Sequence, residues 1–250
     1  NINKIKFKLD VKEVSLFLET RDTEVNYRDV TIPVKKIKVY IDFLSLIKTE
    51  PKIKKITSNF YQLNQNKIKK ISSYLKPSNF TSFINNKLKQ IELNTELEIY
   101  LDSNNSIENF ITRGSVSNLK FEILNKIYLE NTRFTFFADK FDILLKNISS
   151  STDILKILDG DLKINLSKEI FLDTNFKTLI KSDGKNKKFK KLVDQFQLGE
   201  NLVKIEADLN NMIKLSLDNT LKVKKFNYSG KGNISKAQFK FDNPIKNNFL

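Results

Sequence analysis

Along most of the chain apolar and polar residues alternate at every second position, which is the signature of strands with one face turned to a core. In residues 37–43 the odd positions Ile37, Val39, Ile41 and Phe43 are apolar. From 91 to 101, Ile91, Leu93, Leu97, Ile99 and Leu101 alternate with Glu92, Asn94, Glu96 and Glu98. The same rhythm predicts strands over residues 119–123, 131–138, 141–145, 162–166, 172–180, 202–209, 213–217, 221–226 and 237–241. Links rich in Asn, Asp and Gly fall at 102–105, 138–140, 158–161, 183–185 and 217–220. Such residues tolerate left-handed backbone or close local side-chain turns, so strand is expected to follow strand as an antiparallel meander.

Helical spacing is convincing in one stretch. Ile68, Ile71, Tyr74 and Leu75 share a face over about 67–76 before Pro77 stops the run. A second short helix follows, capped by Ser78 or Asn79, with Phe80, Phe83, Ile84 and Leu88 on one side. A single turn is expected at 43–48, and a further short helix at 189–196 through Leu192, Val193 and Phe196. Two or three short helices cannot cover about a dozen strands, yet each strand has an apolar face to bury. A closed barrel, a sandwich or a curved open groove would each supply the cover, and periodicity does not choose among them.

Composition narrows the function more than the fold. The chain has 250 residues with no Cys and no His. Thiolate nucleophiles, disulfides and the triads built on His are therefore absent from it, and no enzymatic activity, cofactor or metal is expected. The net charge of +15 would point to nucleic acid or an anionic surface. Nearly all of it is Lys, however, with Arg only at 21, 28, 113 and 133, whereas phosphate and base recognition favours the Arg fork. Nucleic acid is not expected as a partner. No run approaches the roughly 20 apolar residues of a spanning helix. The sequence opens on Asn1, and it is read as an excised piece of a longer protein.

Residues 30–47 run Val-Thr-Ile-Pro-Val-Lys-Lys-Ile-Lys-Val-Tyr-Ile-Asp-Phe-Leu-Ser-Leu-Ile, and Pro51-Lys52-Ile53-Lys54-Lys55-Ile56 follows shortly. A strand, an Asp-Phe-Leu-Ser-Leu-Ile turn at 42–47 and a next strand of the form Ile-x-x-Ile resemble the N-terminal motif of the AsmA-like family, of YhdP or TamB type. The helix pair at 67–88 resembles the insertion of its larger members. Residues 110–119 and 158–164 resemble its recurring Gly-x-Val-x-Asn-Leu and Ile-x-x-Gly-x-Leu strands. The resemblance covers about 14–180 and fades beyond. It implies a mainly β chain whose antiparallel meander forms a curved, partly open sheet or groove, with two or three short helices. It divides the chain into a groove region at 1–180, a basic linker or short helix at 181–200 and continuing strands at 201–250.

The function implied is binding or conducting phospholipid between the inner and outer membranes of a Gram-negative bacterium. The protein would then be periplasmic, held in the inner membrane by a helix outside these residues. Residues expected to line such a groove, by acyl-chain contact, are Val39, Ile41, Leu97, Ile99, Phe134, Phe136, Leu162, Ile164, Leu172 and Phe176. Each is equally at home in an ordinary core. Lysine clusters at 35–36, 52–55, 67–70 and 185–191 could attract phosphate headgroups, though solvated surface accounts for all but the last. Glu96 and Glu98 are explained by the outward side of a strand. The alternative reading is a structural or adhesive β-sandwich module with no ligand. Oligomeric state is not determined by the sequence.

Overall fold

The computed structural model describes residues 4–10, 15–48, 51–124, 127–152, 154–167, 169–183, 186, 190, 202–218, 220 and 222–240. They form one antiparallel sheet of thirteen strands: β1 (Lys6–Asp10), β2 (Ser15–Tyr27), β3 (Val30–Ile41), β4 (Ile53–Phe60), β5 (Leu63–Asn64), β6 (Leu88–Leu101), β7 (Ile107–Leu124), β8 (Ile127–Asp139), β9 (Asp142–Ser151), β10 (Leu155–Leu166), β11 (Ile170–Asp183), β12 (Leu202–Leu217) and β13 (Val223–Phe239). Each strand lies beside its neighbour in sequence, except that the two-residue β5 sits off the path on β6 and β4 pairs β6 directly. The sheet is open, with β1 at one edge and β13 at the other.

It is also a single layer. Among the described residues every strand belongs to this one sheet, so none forms a second sheet against it. The described parts of 1–180 and 201–250 belong to the same sheet, and β11 continues to Asp183. Most of 184–201, with the expected helix at 189–196 and the lysine cluster at 185–191, lies outside the described residues.

Several expected strands merge into longer ones, and the physical reason is phase. A β-bulge inserts one residue and shifts the alternation, so that two apolar residues three apart still share a face. On β7 the register steps between Val116 and Leu119, on β8 between Glu130 and Arg133, and on β10 between Ile157 and Asp159. Asn118, Asn131 and Asn147 take positive φ of 50°, 50° and 56°, which Asn tolerates better than most side chains. The link expected at 158–161 is thus a bulge inside β10, and the β9–β10 turn falls at Thr152, whose Oγ accepts from the Ile154 and Leu155 amides. Residues 202–217 make one strand through Asn211, and 223–239 one strand through Gly230 and Gly232.

Three short helices punctuate the meander: α1 (Phe43–Ile47), α2 (Gln65–Ser73) and α3 (Asn79–Lys87). In α1 the Ser45 amide donates to the Asp42 carboxylate at 2.9 Å. The buried Ser45 hydroxyl donates to the Asp42 carbonyl and accepts from the Lys52 amide, tying the turn to the approach of β4. Asn64 caps α2, and Ser78 caps α3 in a capping box with Thr81. Leu88 opens β6 and does not continue the helix, and Leu75 lies beyond α2, exposed. The helix pair sits on β3, β5, β6 and β7. Asn79 Nδ2 also donates to the Thr220 carbonyl in the β12–β13 turn at 2.5 Å. Six strand steps separate β6 from β12, about 29 Å if flat, whereas α3 spans only about 13.5 Å. Twist of roughly 20–25° per step, together with coiling, brings the far turn round to the helices.

Candidate functional site

In an antiparallel ladder, directly paired residues share a face. Following the pairs across the sheet therefore tells which residues stand together. Val39 pairs Leu18 and Ile56; Ile56 pairs Ile99, and Ile99 pairs Phe110. Two positions on, Leu97 pairs Ser58 and Thr112. Phe134 pairs Val116, and Phe136 pairs Gly114 and Leu145. Leu145 pairs Leu162, Ile164 pairs Ile143 and Leu172, and Phe176 pairs Gly160 and Asn211. Ile41 pairs Leu16 and Ile53. All ten residues expected to line a groove stand on one face, and all ten are half-buried.

That face is continuous from edge to edge. It begins at Phe7 and Leu9 on β1 and ends at Phe226, Tyr228 and Ile234 on β13, through the pairs to Leu18, Leu16, Leu215, Ile213 and Ala207. Sequence reasoning missed the two rims, where Phe7 is 69% and Phe226 63% exposed. Their alternation was visible but short in β1 and interrupted by Gly230 and Gly232 in β13.

The covered part of the face lies under the helices. Val34, Leu63, Leu88 and Val116 are buried there, Val34 completely. Phe83 of α3 stacks edge-on with Phe121 at 6.2 Å, and Tyr74 meets Tyr27 at 6.3 Å with Arg28 over its ring at 4.9 Å. Over β8 to β13 no helix or second sheet among the described residues makes comparable contact, and the buried Ile154 packs with Leu155, Leu202 and Ile205. There the face is broken by small polar groups that satisfy one another. Thr132 and Ser150 share a hydrogen bond at 2.5 Å, while Asn211 donates to Thr178 at 2.9 Å and accepts from the Tyr228 hydroxyl at 2.9 Å.

Two glycines on this face carry aromatic neighbours. A Cβ at Gly114 would lie 2.0 Å from the Asn94 carbonyl oxygen and 3.0 Å from the Phe136 ring. At Gly160 it would lie 2.9 Å from Phe176 Cβ. Phe136 and Phe176 are therefore seated over glycines, which accounts for part of their burial.

The opposite face is polar and organised by cross-strand ion pairs. Lys177 meets Asp208 at 3.1 Å, Lys214 meets Asp173 at 3.6 Å, and Arg113 reaches Glu96 at 3.3 Å and Glu98 at 3.1 Å. Those two carboxylates raise the Arg113 pKa, Glu96 most strongly. Glu96 and Glu98 are thus ion-pair partners on the outward side. Near β1–β3 this face also buries Phe17 and Tyr40, stacked at 5.2 Å under the Lys38 and Lys55 ammonium groups. Beside them Glu19, buried, takes Lys8 at 2.8 Å and Arg21 at 2.9 Å. The Lys8 hydrogen bond chiefly, with Arg21, holds its carboxyl below the usual range against the opposing effect of burial.

Two clefts, of about 520 and 670 Å³, are lined mainly by outward residues such as Asp161, Lys177 and Met212 in the first and Asn59, Glu96 and Arg113 in the second, while a cleft of about 340 Å³ reaches the inward Leu172, Leu215 and Phe226. The first two do not enclose the apolar face, and the third is a shallow part of it. Among the described residues no cluster of three or more carboxylates could hold a metal ion, and no helix is long and apolar enough to cross a membrane. Comparison with protein-family models, with curated proteins and with solved structures finds no match.

Proposed function

We propose that the chain is a non-enzymatic segment of a bacterial envelope protein that binds or conducts phospholipid along its apolar face. The observation that carries the reading is the largely apolar face, twelve strands wide, on which no helix packs over β8 to β13 among the described residues. Acyl chains ask for such a surface. Each methylene taken from water contributes about 0.8 kcal/mol, and no directional group is required. An open surface also suits passage, because ligand held in a deep pocket does not leave. Periplasmic location, with an inner-membrane anchor outside these 250 residues, belongs to the same proposal and rests on the resemblance at residues 30–58.

The test is native mass spectrometry of delipidated protein offered phosphatidylglycerol or phosphatidylethanolamine. Lipid adducts are expected, and the double variant Leu162→Glu with Leu172→Glu is expected to lose them by about tenfold or more, since a charge against acyl chains costs several kcal/mol. Absence of adducts on the unaltered protein leaves a ligand-free structural role.

A further inference from the structure

We propose that the side of the α2 and α3 pair turned away from the sheet docks on a bilayer of anionic phospholipid. From Tyr61 to Ile91 the chain carries six Lys and no Asp or Glu. The lysines at 67–70, expected from sequence on solvated surface, are gathered by the fold with Lys76 and Arg28 around one apolar corner. Along α2, Ser72 is buried and Ile68 and Ile71 are half-buried, which marks the side packed on the sheet. At 100° per residue Lys67 and Lys70 fall on the other side and Lys69 on its flank, from which a long stem lets the ammonium group reach outward. Just past the helix Leu75 is 48% exposed, with Lys76 and Pro77 exposed beside it. Arg28 lies over the adjoining Tyr74 ring. The β12–β13 turn meets α3 at Asn79 and leaves this corner open.

The nearby carboxylates are already engaged. Asp29 takes Lys70 at 3.0 Å, and Glu122 takes Lys87 at 3.2 Å. Glu92 accepts from Gln62 and Ser117, Glu96 and Glu98 hold Arg113, and Asp218 accepts the Thr220 and Lys222 amides. Neither β3 nor β5 contains an acid, and Glu108 stands at the far end of β7. Among the described residues Lys67, Lys69 and Lys76 make no ion pair. Three ammonium groups without a carboxylate thus surround an exposed Leu. A peripheral lipid contact has this composition, because apolar side chains enter the interface while lysines meet phosphate. Nucleic acid would engage the lysines but leaves Leu75 without a role. This surface lies on the far side of the helices from the apolar face, so it stands whether or not the sheet carries lipid.

The test is flotation of the whole 250-residue chain with phosphatidylcholine vesicles, with and without phosphatidylglycerol. Binding is expected only where phosphatidylglycerol is present, and it should fall as salt rises. Replacing Lys67, Lys69 and Lys76 together by Gln is expected to weaken it about a hundredfold, near fivefold for each lysine. Replacing Lys36, Lys156 and Lys231 by Gln removes the same charge from the opposite face of the sheet and should change binding by less than about threefold. Leu75→Ser should weaken vesicle binding about threefold or more. Melting temperatures of all variants are compared with that of the unaltered chain. Failure to bind phosphatidylglycerol vesicles, equal loss in the two lysine triples, or no effect of Leu75→Ser overturns the proposal. So does binding of poly(U) that the helix triple weakens as strongly as it weakens vesicle binding, which would make the surface a nucleic-acid contact. The variant Leu162→Glu with Leu172→Glu is expected to lose lipid adducts and keep vesicle binding, so the two proposals fail separately.

Discussion

The end of the sheet under α2 and α3 and the bare expanse from β8 to β13 are written in the same alternating pattern, yet they do different things with it. Under the helices the inward residues Val34, Leu63, Leu88 and Val116 become a core. Across β8 to β12 large inward side chains such as Leu162 and Leu172 stay half-buried while smaller ones, Thr132, Thr178 and Ala207, are buried, and on β13 Phe226, Tyr228 and Ile234 are exposed. The difference lies in what stands over the strand. An apolar stripe is an instruction to be covered, and the covering element decides whether it becomes packing or surface.

Truncation should break this contrast most visibly. Leu88→Ala removes a fully covered side chain and is expected to cost about 2–5 kcal/mol, whereas Leu162→Ala on the bare side should cost under about 1.5 kcal/mol, both read from denaturant unfolding. If the two cost the same, the bare face is covered in solution.

Glycines sharpen it next. Gly114→Ala forces a Cβ against the Asn94 backbone and should lower stability by roughly 1–3 kcal/mol. At Gly230 the first obstacle is the Tyr228 hydroxyl, the far end of a side chain, so Gly230→Ala should be near neutral by the same measurement.

The polar face supplies the smaller effects. Glu19 has a depressed pKa in the folded state, so its contribution to stability is present above the unfolded value of about 4.3 and lost as pH falls through the folded one. The stability advantage over Glu19→Gln should therefore shrink between pH 5 and pH 3, and an advantage that stayed constant there would contradict the Lys8 and Arg21 pairing. Arg113→Ala is expected to cost less than about 1 kcal/mol in thermal unfolding, because Arg113 is 55% exposed in both its ion pairs.

Much of this was legible beforehand, and the failures have one cause. The β3 strand, the turn at Asp42, the helix pair capped at Ser78 and the hairpin turns at Asp139 and Asp218 follow from local chemistry that sequence displays directly. Each turn carboxylate accepts backbone amides, from Phe141 and Asp142 at Asp139 and from Thr220 and Lys222 at Asp218. Strand lengths failed where alternation slipped. Val116 and Leu119 are three apart, and only the bulge at Asn118 returns both to one face. Asn211 and Gly230 put a polar group and no side chain where a fixed period requires an apolar one, so single strands read as pairs.

The sequence by itself determined which side of each strand is apolar, where the chain turns, and that catalysis through Cys or His is absent, because these depend on residue identity at short range. Only the tertiary structure decided that eleven successive pairings line those sides up into one face, that the helices cover one end of it, and that the described residues put no second sheet over the rest. Those outcomes depend on long-range pairing, on accumulated twist and on the absence of a facing sheet, none of which a local period encodes.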